Sequence, residues 1–284
     1  MGRVVSVICD MGERIAIIGA GKMGRILIKT LVSSGYSVVA TGRSEATIRE
    51  AEALGAIATR DNDQAVRSAD LVILAVKPFH LSNVVKEVKP ESWDGKVVLS
   101  ILAGVKIATI KRFTRGSEVY RAMPNVCALV GKSSTAVSHD GGGKGPGAEV
   151  VERVLSQLGR VYWVPEELLD AWTGLVGSGP AYIAEIIDGL VLGGLAVGMP
   201  RELALASILD VLEGTAEYLR RLGVHPAQMR DAVITPRGTT IAGIAVLERG
   251  RVKSTLIKTV QSATKKSEAL SKMVNSMVEE GGAN

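Results

Sequence analysis

The segment Gly19-Ala20-Gly21-Lys22-Met23-Gly24 follows a short apolar, β-rich run at 15–18 and opens an amphipathic helical pattern at 23–34. A GxGxxG match alone is weak, but between a strand and a helix it commits the chain to a βαβ unit of the dinucleotide-binding type. Gly19 permits the tight turn, Gly21 lets backbone approach a pyrophosphate, and Gly24 lets helix and strand touch. The phosphates would then lie at the positive helix end beside Lys22 and Met23. The bland alternative is a glycine-rich turn that binds nothing.

The rhythm continues along the first half. Residues 37–41, 71–76, 97–101 and 119–121 read as further strands, and residues 46–54, 64–68 and 81–89 as helices, with a third strand expected ahead of Asn62. This alternation implies a parallel sheet with helices on both faces, because parallel neighbours need crossover connections. The glycine-rich stretch 140–147 reads as an exposed loop. Beyond it come a helix at 149–158 and a strand at 160–164, after which only helical patterns remain, at 180–197, 201–222 and 252–278. The first of these is apolar on nearly every face. The last is long for a globular helix and is expected to pack across a partner. The division predicted is an extension at 1–12, a Rossmann-type doubly wound α/β domain at 13–165, and an all-helical domain at 166–284.

Composition narrows the function. The 284 residues carry 34 Lys+Arg against 29 Asp+Glu, a formal charge of +5, with only 4% aromatic residues to stack on bases, so nucleic acid is excluded as a partner. Cys9 and Cys127 belong to no CxxC pair, which points to a reducing, cytoplasmic setting without a disulfide framework or zinc site. Residues 1–10 lack a signal-peptide cleavage pattern, and Met11 is an alternative start. The apolar stretch 186–199 is broken by Asp188 and four glycines and is shorter than the roughly 20 residues a bilayer span needs, so no membrane association is expected.

The second strand ends Ala40-Thr41-Gly42-Arg43-Ser44. No acid stands where an NAD site would place one for the ribose 2′-hydroxyl, whereas Arg43 and Ser44 suit a 2′-phosphate, so NADP(H) is the preferred cofactor. NAD(H) use is the alternative, with Arg43 solvated and Glu45 turned back to the ribose. Ala75-Val76-Lys77-Pro78 lies at the carboxyl end of the sheet, where ligands of doubly wound folds bind; a solvated Lys77 is the competing reading.

Together with the glycine turn and Ala75 to Pro78, several separated motifs resemble the pyrroline-5-carboxylate reductases over residues 13–272. They are Arg121-Ala122-Met123-Pro124-Asn125, Gly177-Ser178-Gly179-Pro180-Ala181-Tyr182, His225-Pro226, and Thr235-Pro236 followed by Gly238-Thr239-Thr240-Ile241. The resemblance implies reduction of a small cyclic imino acid, L-1-pyrroline-5-carboxylate, to L-proline, the last step of proline biosynthesis. It implies a helical domain that forms an intertwined homodimer, sometimes a ring of dimers, and maps Asn62 onto an adenosine-side contact. Capping of the following helix is an equal reading for Asn62, and the two are compatible. Thr240 maps onto the substrate-contacting position, with Thr239 as its neighbour.

Two positions depart from the family pattern: Arg237 replaces a glycine and Val176 a serine. A left-handed arginine would cost about 1 to 2 kcal/mol, so a right-handed backbone is expected at Arg237. Its side chain either pairs with the substrate carboxylate or points to solvent.

Hydride transfer to a cyclic C=N bond needs no metal and no nucleophile. The turn from Pro236 through Gly238 to Thr240, opening a helix, can offer N–H groups to a carboxylate, with the Thr240 hydroxyl on the ring nitrogen; simple N-capping by the threonines is the alternative. Ser178 and Tyr182 are weaker candidates on a segment that either meets the cofactor domain or forms a tight start to a helix. Met123 and Pro124 either wall the nicotinamide or fill core. His225 reads as a helix-start residue. A β-hydroxyacid dehydrogenase is disfavoured because no lysine occurs between Gly177 and Lys253. A turnover-dead nucleotide sensor and a reductase of the six-membered homologue stay open.

Overall fold

The computed structural model describes residues 13–140 and 142–281; the extension at 1–12, with Cys9 and Met11, lies outside them, as do Gly141 and residues 282–284. An eight-stranded sheet has the order β3-β2-β1-β4-β5-β6-β7-β8. Its strands are β1 Arg14–Ile18, β2 Ser37–Thr41, β3 Ile57–Thr59, β4 Leu71–Leu74, β5 Val97–Ser100, β6 Glu118–Met123, β7 Ser133–His139 and β8 Gly159–Trp163. Every pairing is parallel except β6 with β7. Helices α1 Lys22–Ser33, α2 Glu45–Ala53, α3 Asn62–Arg67, α4 Leu81–Lys86, α5 Ile107–Phe113 and α6 Ala148–Ser156 connect them. They are followed by α7 Leu169–Trp172, α8 Gly179–Ala196, α9 Arg201–Leu222, α10 Pro226–Ala232, α11 Thr239–Arg249 and α12 Val252–Gly281.

Two apolar layers sandwich the sheet. Ile15, Ile17, Leu27, Ile28 and Leu31 belong to one, and Ile18, Val72, Leu74, Leu81 and Trp93 to the other. Strands buried on both faces read as unbroken Val/Ile/Leu runs, which is why β1, β4 and β5 were legible. β7 was not expected. Its Ser-Ser-Thr-Ala-Val-Ser-His sequence carries little apolar signal, yet most of it is buried, with Ser133 bonded to Thr135 at 3.0 Å and the Ser138 hydroxyl donating to Val164 O at 2.7 Å. β4 stops at Leu74 rather than at 76, leaving Ala75 and Val76 in the loop above the sheet.

Contacts divide the described residues into two compact units, those within 13–177 together with 263–281, and residues 178–262. This differs from a division at 165/166 because α7 and the end of α12 pack on the sheet unit. Leu169 is buried with Met123 and Ala136, while Val274 and Val278 join the second apolar layer. Asn275 fixes the end of α12: its Oδ1 accepts from Lys106 N at 3.1 Å and from the Thr109 hydroxyl at 2.7 Å, and its Nδ2 donates to Gly104 O at 2.8 Å. The C-terminal part of α12 thus packs on its own sheet unit, while Leu270, Met273 and Met277 on the same helix are exposed.

The second unit has a different surface. Among the described residues of α8 and α9, only Val191 and Ala204 are buried, whereas Ile183, Leu190 and Leu192 are about half exposed and Val211 is 58% exposed. A monomeric core does not take α8. The helical run Glu166–Ala196 is also longer than the 180–197 pattern, because a π-helical turn at Thr173–Gly177 carries it through the glycine motif. Ser178 is the N-cap of α8 with a right-handed backbone, and Pro180 lies in its first turn, so the motif does open a helix.

Candidate active site

The nucleotide loop is built by three glycines in three different ways. Gly19 has φ +105°, and a Cβ there would meet Val76 Cγ1 at 2.7 Å. A Cβ on Gly24 would meet Gly19 O at 2.1 Å, so the start of α1 can lie against the turn only without a side chain. At Gly21 a Cβ would meet nothing within 4 Å. That open ground, at the N-cap of a helix with no side-chain cap and no acid in its first turn, fits a pyrophosphate. Thr41 pins the loop, accepting from Gly19 N through Oγ1 at 3.2 Å and from Ala20 N through its carbonyl at 2.8 Å. Lys22 is exposed at the first turn, and Met23 is partly buried against the first layer.

At the end of β2, Arg43 is exposed, and its Nη2 lies 3.2 Å from His80 Nε2. Ser44 caps α2, accepting from Thr47 N at 3.2 Å. Glu45 does not turn back toward a ribose: its carboxylate pairs with Arg60 at 3.0 Å and with Arg49 at 3.5 Å. The route by which Glu45 would restore an NAD-type site is thus occupied. Asn62 does not cap α3; Asp61 does, accepting from Gln64 N at 2.9 Å. The capping reading of Asn62 is corrected, and its side-chain amide instead donates to Glu87. The next residue, Asp63, is held below the ordinary carboxylate range by the Ser92 hydroxyl, against a smaller opposing effect of burial. Lys77 is exposed at the carboxyl end of β4, just before the Pro78–His80 turn.

Met123 is 8% exposed within the cluster of Ala136 and Leu169, so the core-filling alternative describes its side chain, and Pro124 beside it is also buried. Asn125 does what the sequence did not reveal. Its Nδ2 donates to Val176 O at 3.1 Å and its Oδ1 accepts from Cys127 N at 3.1 Å, so it holds a carbonyl of the π turn. The link uses backbone, so the valine at 176 supplies it as well as a serine would. Gly177 and Gly179 use no left-handed backbone, and a Cβ on Gly179 would meet nothing within 4 Å. The fold does not require glycine there, which favours an approach by something other than this chain.

In the second unit, Gly238 N donates to Thr235 O at 3.0 Å and closes a turn, and α11 follows with Gly238 as its N-cap. No side chain caps α11 and its first turn has no acid, so the capping alternative for Thr239 and Thr240 is not realised. The first helical bond runs from Ala242 N to Gly238 O, so the N–H groups of Thr239, Thr240 and Ile241 precede the ladder. A Cβ on Gly238 would lie 2.3 Å from Thr235 Oγ1, so a side chain at this cap would require the Thr235 hydroxyl to turn away. His225 is a helix-start residue as expected, in a capping box with Gln228.

Arg237 overturns an expectation: its φ is +60°, left-handed, with the side chain exposed. The turn needs that backbone because closure from Thr235 to Gly238 reverses the chain through residue 237. Arg237→Gly is expected to relieve about 1 to 2 kcal/mol of strain and to cost about 0.5 to 1 kcal/mol of extra unfolded-chain freedom. Urea unfolding should therefore show a net gain of up to about 1.5 kcal/mol. A loss of stability would mean that the side chain makes a compensating contact.

A doubly wound sheet with an acid-free glycine turn, carried on a chain with an open helix start in a separate helical unit, defines a dinucleotide-dependent oxidoreductase. Residues 166–270 match the family model for pyrroline-5-carboxylate reductase dimerisation, and residues 14–104 match the model described as NADP oxidoreductase, coenzyme F420-dependent. The pyrroline-5-carboxylate reductase of Pisum sativum is 36% identical over 90% of this chain and 96% of its own length. A solved structure of a pyrroline-5-carboxylate reductase from Coxiella burnetii is 29% identical, with a TM-score of 0.81 over 91% of this chain and 98% of that one. The pyrroline carboxylate reductase of Plasmodium falciparum, solved with NADP bound, has a TM-score of 0.82 at 24% identity, covering 91% and 99% of the two chains. The chain belongs to the pyrroline-5-carboxylate reductase family.

Proposed function

We propose that this chain reduces L-1-pyrroline-5-carboxylate to L-proline in the cytoplasm, as the last step of proline biosynthesis, with NADPH preferred over NADH. The carrying observation is a pair of anion-ready helix starts, at Gly21 and Gly238, each without a side-chain cap and without an acid in the first turn. The first takes the pyrophosphate and the second the substrate carboxylate. When bound, the reduced nicotinamide supplies the hydride that turns the ring C=N bond into a secondary amine.

The chain supplies position and charge. Gly19, Gly21, Lys22 and Gly24 hold the nucleotide's phosphates, Arg43 and Ser44 its 2′-phosphate side, and Asn62, Ala75, Val76, Lys77 and Pro78 the adenosine and ribose side. Gly238, Thr239 and Arg237 receive the carboxylate, and the Thr240 hydroxyl hydrogen-bonds to the ring nitrogen and relays a solvent proton to it, with Ser178 a further contact. NADPH preference is supported by the absence of an acid at the end of β2 and by the engagement of Glu45 with Arg60 and Arg49.

Within residues 166–284, the helical unit 178–262 serves as the substrate and dimerisation domain. The exposed apolar faces of α8 and α9 are covered by a second copy, giving a homodimer that can assemble further into a ring. The test is oxidation of NADPH and of NADH by purified protein with pyrroline-5-carboxylate, proline being identified as product. Turnover is expected with a several-fold lower KM for NADPH. Proline formation with neither nucleotide overturns the reaction, and turnover only with the six-membered imine reassigns the substrate.

A further inference from the structure

We propose that His80 is a positioning residue for the cofactor's 2′-phosphate, holding the Arg43 guanidinium in place without cancelling its charge. The proposal rests on the reading that NADPH is the preferred cofactor. Arg43 follows β2 and His80 follows β4, the two strands that flank β1, so their 3.2 Å contact joins two loops at the carboxyl end of the sheet.

The neighbouring arginines are committed to acids: Arg49 and Arg60 to Glu45, and Arg25 to Glu50. Arg43 has no carboxylate partner among the described residues, and its contact is an imidazole. With its proton on Nδ1, the ring presents the Nε2 lone pair to the Nη2–H donor. One of the five guanidinium N–H groups is thereby used, and the rest stay available for bidentate recognition of a phosphate.

A carboxylate at position 80 would hold Arg43 equally well but would compete with the phosphate for it. A neutral acceptor orders the long side chain before the nucleotide arrives, which lowers the ordering cost of binding. His80 is itself placed by Pro78, which starts the turn Pro78–His80, and it flanks α4 without capping it, so the ring is not otherwise engaged with that helix.

The test measures the affinities of NADPH and NADH for the full chain and for His80→Leu, His80→Gln and Arg43→Ala. Leucine removes the acceptor, whereas glutamine keeps one. We expect His80→Leu to weaken NADPH by about 5- to 10-fold while NADH stays within about 2-fold, and His80→Gln to retain most of the NADPH advantage. Equal weakening of both nucleotides, or of neither, by His80→Leu overturns the proposal. So does a glutamine variant as impaired as the leucine one. If Arg43→Ala abolishes the NADPH advantage while His80→Leu leaves it intact, the cofactor reading stands and only the role of His80 falls. If the wild-type chain shows no NADPH advantage, the cofactor reading itself has failed.

Discussion

Gly24→Ala is expected to lower kcat/KM for NADPH by at least about 100-fold, the usual order of loss when a positioned group is displaced by about 1 Å. The added Cβ would lie 2.1 Å from Gly19 O, where an ordinary contact needs more than 3 Å. The turn cannot retreat. Thr41 holds two of its N–H groups, and the space beside Gly19 is filled by Val76 and Ala75. Overpacking of this kind also costs about 1 to 3 kcal/mol of stability. Gly21→Ala separates the two effects, because its Cβ enters open space: the fold should melt as the wild type does, while nucleotide affinity falls. Calorimetric melting beside nucleotide titration of both variants reads this directly. Wild-type affinity in Gly24→Ala would remove the turn from the cofactor site.

Thr240→Val is expected to reduce kcat/KM for the imine by roughly 10- to 150-fold, the equivalent of one charge-assisted hydrogen bond of about 1.5 to 3 kcal/mol. Stability should change by less than about 0.5 kcal/mol, because Thr240 caps nothing and lies at a partly exposed helix start. Thr240→Ser, which keeps the hydroxyl, should recover most of the activity. Steady-state kinetics with saturating NADPH distinguishes the outcomes, and an unchanged kcat/KM for the valine variant takes Thr240 out of the mechanism.

The cofactor half was legible because its physics is local. An apolar strand, three glycines and the first turn of a helix occupy eleven consecutive positions from Arg14 to Gly24, and each glycine's role follows from the absence of a Cβ. What the sequence hid depends on distant partners. β7 is polar by composition and buried only because β6 and β8 flank it and its hydroxyls find acceptors. Asn62 looked like a cap, yet Asp61 one residue earlier has the geometry, and Glu87 takes the Asn62 amide. Nothing near Arg43 in sequence points to His80, 37 residues on. For Arg237 the left-handed backbone follows from the closure from Thr235 to Gly238, which residue identity alone does not reveal.

The sheet unit is discontinuous, and this governs when it can form during synthesis. The layer holding Val72, Leu74 and Trp93 is completed by Val274 and Val278, and the loop at Gly104 gains its bond to Asn275 from 171 residues further along. A nascent chain that has finished all eight strands still lacks the part of that layer that Val274 and Val278 fill until α12 has emerged. Vectorial folding of the nucleotide-binding half thus leaves one patch of its second layer uncovered until α12 arrives.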